Sequence, residues 1–217
     1  MRLVLASASQ RRAELLRAAG FTFDIVPAEV DERARPAEPA GDYVRRLARE
    51  KSAAAWETVA SRSVRPTAFA EAAAARRPDE VKKPDATDEA GLVVLGADTA
   101  VVVDGEILGK PHDDQEAAAM LRRLSGRRHE VMTGVSLRSK AGERGLIEIT
   151  GVYMVALHEE DVAWYVASGE GRDKAGAYGI QGLASRFIPR IEGSYSNVVG
   201  LPVAAVSLLL SALASAG

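Results

Sequence analysis

Runs and alternations of apolar residues predict strands at 2–6, 23–26, 92–95, 100–103, 130–137, 146–157 and 187–191. Apolar positions three and four apart predict helices over 9–19, 42–59, 113–124, 159–167 and 202–214. Asp113 suits an N-cap and Gly126 a helix stop. Val103-Asp104-Gly105-Glu106 reads as a tight hairpin turn, and Lys140-Ala141-Gly142-Glu143 as a second, longer one. Strands and helices alternate incompletely, and some consecutive strands form hairpins. The pattern therefore predicts an α/β fold with a mixed sheet carrying helices on its faces, not a purely parallel doubly wound sheet. One stretch stands apart. Residues 61–91 are rich in Ala, Arg, Pro, Asp and Glu and poor in large apolar side chains. That composition buries little surface and predicts a mobile surface insertion, with a short helix near 69–76.

Composition narrows the class. A chain of 217 residues with 47% apolar content suits one ordinary globular domain or two small ones. A net charge of −2 gives no electrostatic reason to expect a nucleic-acid or membrane partner. The absence of cysteine excludes disulfides and thiolate metal sites. The N-terminus enters a strand without a basic segment and long apolar core, so no signal peptide is expected. No apolar run approaches the roughly 20 residues of a membrane span. A soluble, cytoplasmic protein is the expectation.

Candidate chemistry lies in four stretches. In Leu3-Val4-Leu5-Ala6-Ser7-Ala8-Ser9-Gln10-Arg11-Arg12, a helix capped by Ser9 would place Arg11 and Arg12 at its second and third positions. There the helix dipole repels cations. Either both arginines are simply solvated, or an anion removes the repulsion. Hydroxyls of Ser7 and Ser9, free backbone N–H groups and guanidinium groups would converge on it, and phosphate fits best. In the helix from Asp42, the spacing of Val44, Leu47, Ala48 and Ala55 marks the buried face, and Lys51 shares it. Lys51 either snorkels to solvent or is held towards a buried anionic site. In the third stretch Asp98 follows an apolar strand, with Thr99 beside it and a hairpin leading to Gly109-Lys110-Pro111. Open α/β sheets place ligands at strand ends, so Asp98 is a candidate metal ligand or general base; a turn former is the alternative. Asp31 and Glu32 precede it in Val30-Asp31-Glu32-Arg33 and read, alone, as solvated charge.

The fourth stretch, 173–202, carries glycines at 176, 179, 182, 193 and 200, more than turns need. Glycine lets a backbone approach a flat ligand closely, and Gln181 offers both a donor and an acceptor to a base edge. His112, His129 and His158 lack metal-ligand spacing and read as ordinary core, turn or surface residues. No serine or lysine has an evident nucleophile–base partner. The usable groups are carboxylates, lysines and arginines. That inventory suits metal-assisted hydrolysis of a phosphoanhydride, with magnesium or manganese as the hard, oxygen-bound cation.

Together the stretches LASASQRRAELL, VDER, YVRRLAREK, GADTAVVVDGEILGKP, MLRRLSGRRHEVMTGV, DKAGAYGIQG and GSYSNVVGLP resemble, in order, the Maf family of nucleoside triphosphate pyrophosphatases. The likeness covers nearly the whole chain except 61–91, with Gln10 where proline is common. It implies a single elongated α/β domain around a curved mixed sheet with a central cleft, similar to the inosine triphosphate pyrophosphatase architecture. It implies hydrolysis of a nucleoside triphosphate between the α and β phosphates, in nucleotide-pool housecleaning, and a homodimer. Asp98 matches the family's proton acceptor. Arg11, Thr99 and Gln181 match positions linked to substrate choice, and Glu32, Lys51 and Lys110 match cleft residues. AGAYGIQG resembles the branch acting on dTTP and UTP, with CTP and modified pyrimidine nucleotides as further candidates. A 7-methyl-GTP branch and a non-catalytic regulator of septum formation are the alternatives. The expected division of labour follows. Asp98 directs the water and shares a divalent metal with Glu32. Ser7, Ser9, Arg11, Arg12, Lys51 and Lys110 hold the phosphates, and Thr99 and Gln181 read the pyrimidine.

Overall fold

One long strand organises the molecule. In a computed structural model, which describes residues 1–63 and 91–215, this strand is β3, Leu92–Val103. Before it come β1 (Arg2–Leu5), α1 (Gln10–Ala18), β2 (Phe23–Ile25) and α2 (Ala40–Ser63). After it come β4 (Glu106–Leu108), α3 (Asp114–Leu124), β5 (Arg128–Ser139), β6 (Gly142–Tyr153) and α4 (Glu159–Ala167). Two 3₁₀ turns, Ala175–Ala177 and Leu183–Phe187, lead to β7 (Arg190–Glu192), α5 (Tyr195–Val199) and α6 (Val203–Ala214). The expected insertion at 61–91, with its helix at 69–76, falls almost wholly outside the described residues. Among those described, no helix is long and apolar enough to cross a membrane.

The sheet order is β2-β1-β3-β5-β6-β7, with β4 also on β3. β1 runs parallel to β2 and β3, and the remaining pairs are antiparallel, so the sheet is mixed as expected. β5 lies along residues 93–102 of β3 and fills one edge. β1, on 92–95, and β4, on 101–103, must therefore share the other edge. Between them, residues 96–100 have no strand partner on that side. The sheet is split there, and the split makes room for a cleft.

Four findings differ from the expected elements. First, 92–95 and 100–103 are one strand. Gly96 is no turn residue: a Cβ there would sit 2.1 Å from the Ala48 carbonyl oxygen, so the glycine lets α2 lie directly on the sheet. Asp98 and Thr99 thus stand mid-strand, at the split edge, instead of at a strand end. Second, β6 begins at Gly142 and ends at Tyr153, because only Lys140 and Ala141 separate the paired Ser139 and Gly142. Third, the seventh strand is Arg190–Glu192, since Leu183–Phe187 coils into a 3₁₀ turn. Fourth, Tyr195–Val199 is a short helix, started by Ser194 Oγ accepting from Asn197 N.

Alternation along β3 assigns its two faces. Val94, Ala100 and Val102 face α2, packing with Ala55 and Val59 or with Ala40 and Val44. Val93, Leu95 and Ala97 face α1 and α6, through Ala13, Leu16, Val206 and Leu210. Val101 and Val103 extend into a separate core with α3, α4, Tyr178 and Phe187. The cores of the two ends meet at the split, so the cleft is walled by elements that are each well packed.

One buried histidine gives the far core a pH dependence. His129 is 2% exposed, and its Nε2 shares a 2.7 Å hydrogen bond with the Tyr178 hydroxyl. Burial, with help from the charge of Arg128, pushes its pKa from 6.5 down to about 4. The unfolded chain therefore takes up a proton between pH 6.5 and 4 that the native state refuses, so stability is complete above 6.5 and falls as pH drops towards 4. The loss should approach about 3 kcal/mol. Denaturant titrations should show this slope in the wild type and lose it in His129→Gln; parallel pH profiles would contradict the assignment.

Candidate active site

The split lets Asp98 line the cleft from the α2 side of β3. Lys51 reaches it from α2, four residues after the fully buried Leu47 on the same face. Lys51 Nζ lies 2.6 Å from Asp98 Oδ1 and 2.6 Å from Glu32 Oε1. Lys51 and Asp98 are almost completely buried, while Glu32 is half open to the cleft. Of the two open readings of Lys51, the structure supports the second: its ammonium ends on a carboxylate pair. Burial alone would raise the Glu32 carboxyl, but the hydrogen bond and charge of Lys51, with Lys110 and Arg12, bring it below its usual value.

Glu32 sits on the loop between β2 and α2, and α2 itself holds that loop. Tyr43 donates to the Glu32 carbonyl oxygen at 3.0 Å. Arg46 grips the Glu38 carboxylate through two bonds of 2.6 and 2.7 Å and donates to the Arg33 carbonyl oxygen at 3.2 Å. So the acidic pair Asp31 and Glu32 is divided. Asp31 forms an exposed ion pair with Arg33, while Glu32 is turned inward.

On the opposite face of β3, Ser9 caps α1 as expected, its Oγ accepting from Arg12 N at 3.5 Å. Arg11 and Arg12 then diverge. Arg12 is 8% exposed and donates to Gly200 O (2.8 Å), Ser7 Oγ (3.2 Å) and Thr99 Oγ1 (3.1 Å). Burial lowers its pKa, opposed by the nearby carboxylates of Asp98 and Glu32; a guanidinium stays charged regardless. Arg11 points across the cleft, 3.2 Å from Asp173. Thr99 shares hydrogen bonds with Arg12, Thr133 and Gly200 O. Its single proton is committed to Thr133 or Gly200, which suits a residue that holds Arg12 better than one that reads a base.

Lys110 follows β4 and lines the cleft from the far side, where it is exposed. Gln181 is exposed on the same wall. The cleft encloses about 1000 Å³ and collects Ser7, Ser9, Arg11, Arg12, Glu32, Lys51, Asp98, Thr99, Lys110 and Gln181. Every one of these candidate residues from the sequence therefore lines one cavity. The glycines of 173–202 serve more than one purpose. Gly176 and Gly182 make room for the protein's own side chains: a Cβ at Gly176 would lie 2.9 Å from Val101 Cγ1, and one at Gly182 2.1 Å from Glu170 Oε2; Gly179, Gly182 and Gly200 also line the cleft.

Sequence reasoning missed Tyr43, Arg46 and Glu38, which hold the Glu32 loop, and Asp173 and Glu170 on the far wall. Tyr43 had a usable signal, eight residues before Lys51 on one helical face. The pairing of Arg46 with Glu38 and of Arg11 with Asp173 had none, because it depends on how loops return to helices.

The sequence that builds this cleft is similar to those of known proteins. The family model described as Maf-like protein matches residues 2–213. A dTTP/UTP pyrophosphatase of Hahella chejuensis is 46% identical over 209 residues, covering 96% of this chain and 90% of that protein. Proteins of the same name from Anaeromyxobacter dehalogenans (strain 2CP-C) and Escherichia coli O157:H7 are 45% and 44% identical, each across 96% of this chain, and over 92% and 91% of their own lengths. With a family model spanning nearly every residue and relatives this similar end to end, the chain belongs to the Maf-like protein family.

Proposed function

We propose that this chain hydrolyses dTTP and UTP to the nucleoside monophosphate and pyrophosphate. The observation that carries the reading is Lys51 Nζ held 2.6 Å from both Asp98 Oδ1 and Glu32 Oε1 inside a cleft rimmed by Arg11, Arg12 and Lys110. The names of its relatives support the substrate choice.

The reaction needs a water in line with the scissile bond and cations on the phosphate oxygens. Lys51 takes Asp98 Oδ1, which leaves Oδ2 as the acceptor for a water proton. The water oxygen bonds to the α phosphorus, the bond from that phosphorus to the bridging oxygen breaks, and pyrophosphate leaves. Arg11, Arg12 and Lys110 bind the tail, with the hydroxyls of Ser7 and Ser9 and the N-terminus of α1 contributing neutral donors. Arg12 is locked by Gly200, Ser7 and Thr99, so it presents its charge without first being ordered.

Glu32 and Asp98 also suit magnesium or manganese. Both are hard oxygen donors brought to one ammonium; Glu32 keeps its second oxygen for the cation, and Asp98 Oδ2 has a second lone pair beside the one that takes the water proton. Magnesium is commonly held by one or two carboxylates completed by substrate phosphates. The described residues gather no cluster of three or more such ligands, so the substrate would have to complete the shell. When bound, the cation would neutralise charge developing on the phosphates.

Pyrophosphate release across a nucleotide panel, with each metal, tests the reading. dTTP and UTP should be turned over fastest. Faster hydrolysis of 7-methyl-GTP, or release from no triphosphate, would contradict it. Gln181→Ala should narrow the preference for pyrimidine over purine triphosphates by about tenfold, the worth of a base-edge hydrogen-bond pair. An unchanged ratio would remove Gln181 from base reading.

A further inference from the structure

Gln181 is exposed, and no regular element carries it. What fixes its position is a carboxylate on the same wall that the catalytic reading does not use. Glu170 follows the end of α4, just past Gly169, whose φ of 71° turns the chain back on the helix. Its Oε2 accepts from Leu183 N at 2.8 Å, and its Oε1 accepts from the Tyr165 hydroxyl at 2.7 Å. Tyr165 is 1% exposed, and the same hydroxyl accepts from Gly179 N at 3.1 Å. One carboxylate therefore holds the chain two residues after Gln181 directly and two residues before it through a single buried hydroxyl. Gly182 is shaped to this contact, since the carboxylate oxygen lies 2.1 Å from where its Cβ would be. Lys174 closes the arrangement by donating to the Glu170 carbonyl oxygen.

We propose that Glu170 is a positioning residue for substrate choice: with Tyr165 it clamps both flanks of Gln181, so that the amide meets the pyrimidine edge in one orientation. The proposal rests on the reading of Gln181 as the base reader. Glu170 itself takes no part in proton transfer or phosphate binding. Its carboxylate must accept from a hydroxyl and a backbone N–H together. A glutamine at 170 can accept at only one of its two terminal atoms and sets an N–H₂ group against the other donor.

The test compares Glu170→Gln, Gln181→Ala and the double variant on UTP, dTTP and GTP. In E170Q, KM for UTP and dTTP should rise about tenfold while kcat stays within about twofold, because the flanks of the base reader loosen and the phosphate end is untouched. The UTP-to-GTP ratio of kcat/KM should fall towards that of Q181A. Once Gln181 is gone, E170Q should cost little more discrimination, the signature of two residues acting through one contact. Tyr165→Phe deletes only the bridging hydroxyl. It should move the same ratio in the same direction, and it carries the test if E170Q does not fold. Unchanged discrimination in E170Q and Y165F beside an altered Q181A overturns the clamp and leaves base reading by Gln181 intact. Unchanged discrimination in all three removes Gln181 from base reading and the clamp with it. A fall in kcat equal for every nucleotide also overturns the proposal, since a general loss of structure would do that.

Discussion

Asp98→Asn should lower turnover of dTTP and UTP by about 10²–10⁴-fold, the range that a positioned general base contributes. KM should change little, because the tail is held by arginines and Lys110. The fold should survive. Asparagine keeps the shape of the side chain and an oxygen for Lys51, whose other partner, Glu32 Oε1, stays at 2.6 Å. The substituted amide cannot take a proton from water, which is the function being removed. Single-turnover assays beside circular dichroism separate the two possibilities. Near wild-type turnover in a folded D98N protein would take Asp98 out of proton transfer.

Lys51→Met should damage both stability and activity. The side chain is 8% exposed, and its ammonium is the group that two carboxylates share. Methionine fills much of the space but leaves Asp98 and Glu32 facing each other unpaired. Removing one partner of a buried ion pair costs about 3–5 kcal/mol. Glu32 is half open to water, so the lower end of that range applies. Turnover should fall by more than about a hundredfold, because the oxygen that Lys51 held is then free to rotate Asp98 away from the water. The stability deficit should shrink as pH falls, when an added proton replaces the missing positive charge between the carboxylates. Equal stability of K51M and wild type at neutral pH would show that the pair is solvated and not held by Lys51. The two variants also distinguish roles: D98N should spare stability, and K51M should not.

How much of this could be read in advance follows from locality. The Ser9 cap, the buried face of α2 with Lys51 on it, and the turn at Asp104-Gly105 depend on residues within a turn or two of each other, and all appear as expected. One cleft also gathers the ten candidate residues. The long-range relations were not legible. The apolar pattern divides 92–95 from 100–103, yet Gly96 between them marks close contact between α2 and an unbroken strand. Arg11 and Arg12 are adjacent and chemically equal in sequence, but helix geometry turns neighbours about 100° apart. One is buried beneath Gly200 and the other spans to Asp173. Thr99 is linked to substrate choice only by the family resemblance; it is adjacent to Asp98 in sequence, but strand alternation sends the two side chains to opposite faces. Glu170 gave no signal, because Leu183, which it holds directly, and Gly179, which it holds through the Tyr165 hydroxyl, are brought near it only by the return of the 173–187 segment.

A crystal of the D98N protein soaked with UTP or dTTP and magnesium gives the most direct measurement. The triphosphate should lie along Arg12, Arg11 and Lys110, with its α phosphorus facing residue 98 across a single water and the pyrimidine beside Gln181. A tail bound elsewhere in the cleft, with the α phosphorus out of reach of residue 98, would contradict hydrolysis directed by Asp98.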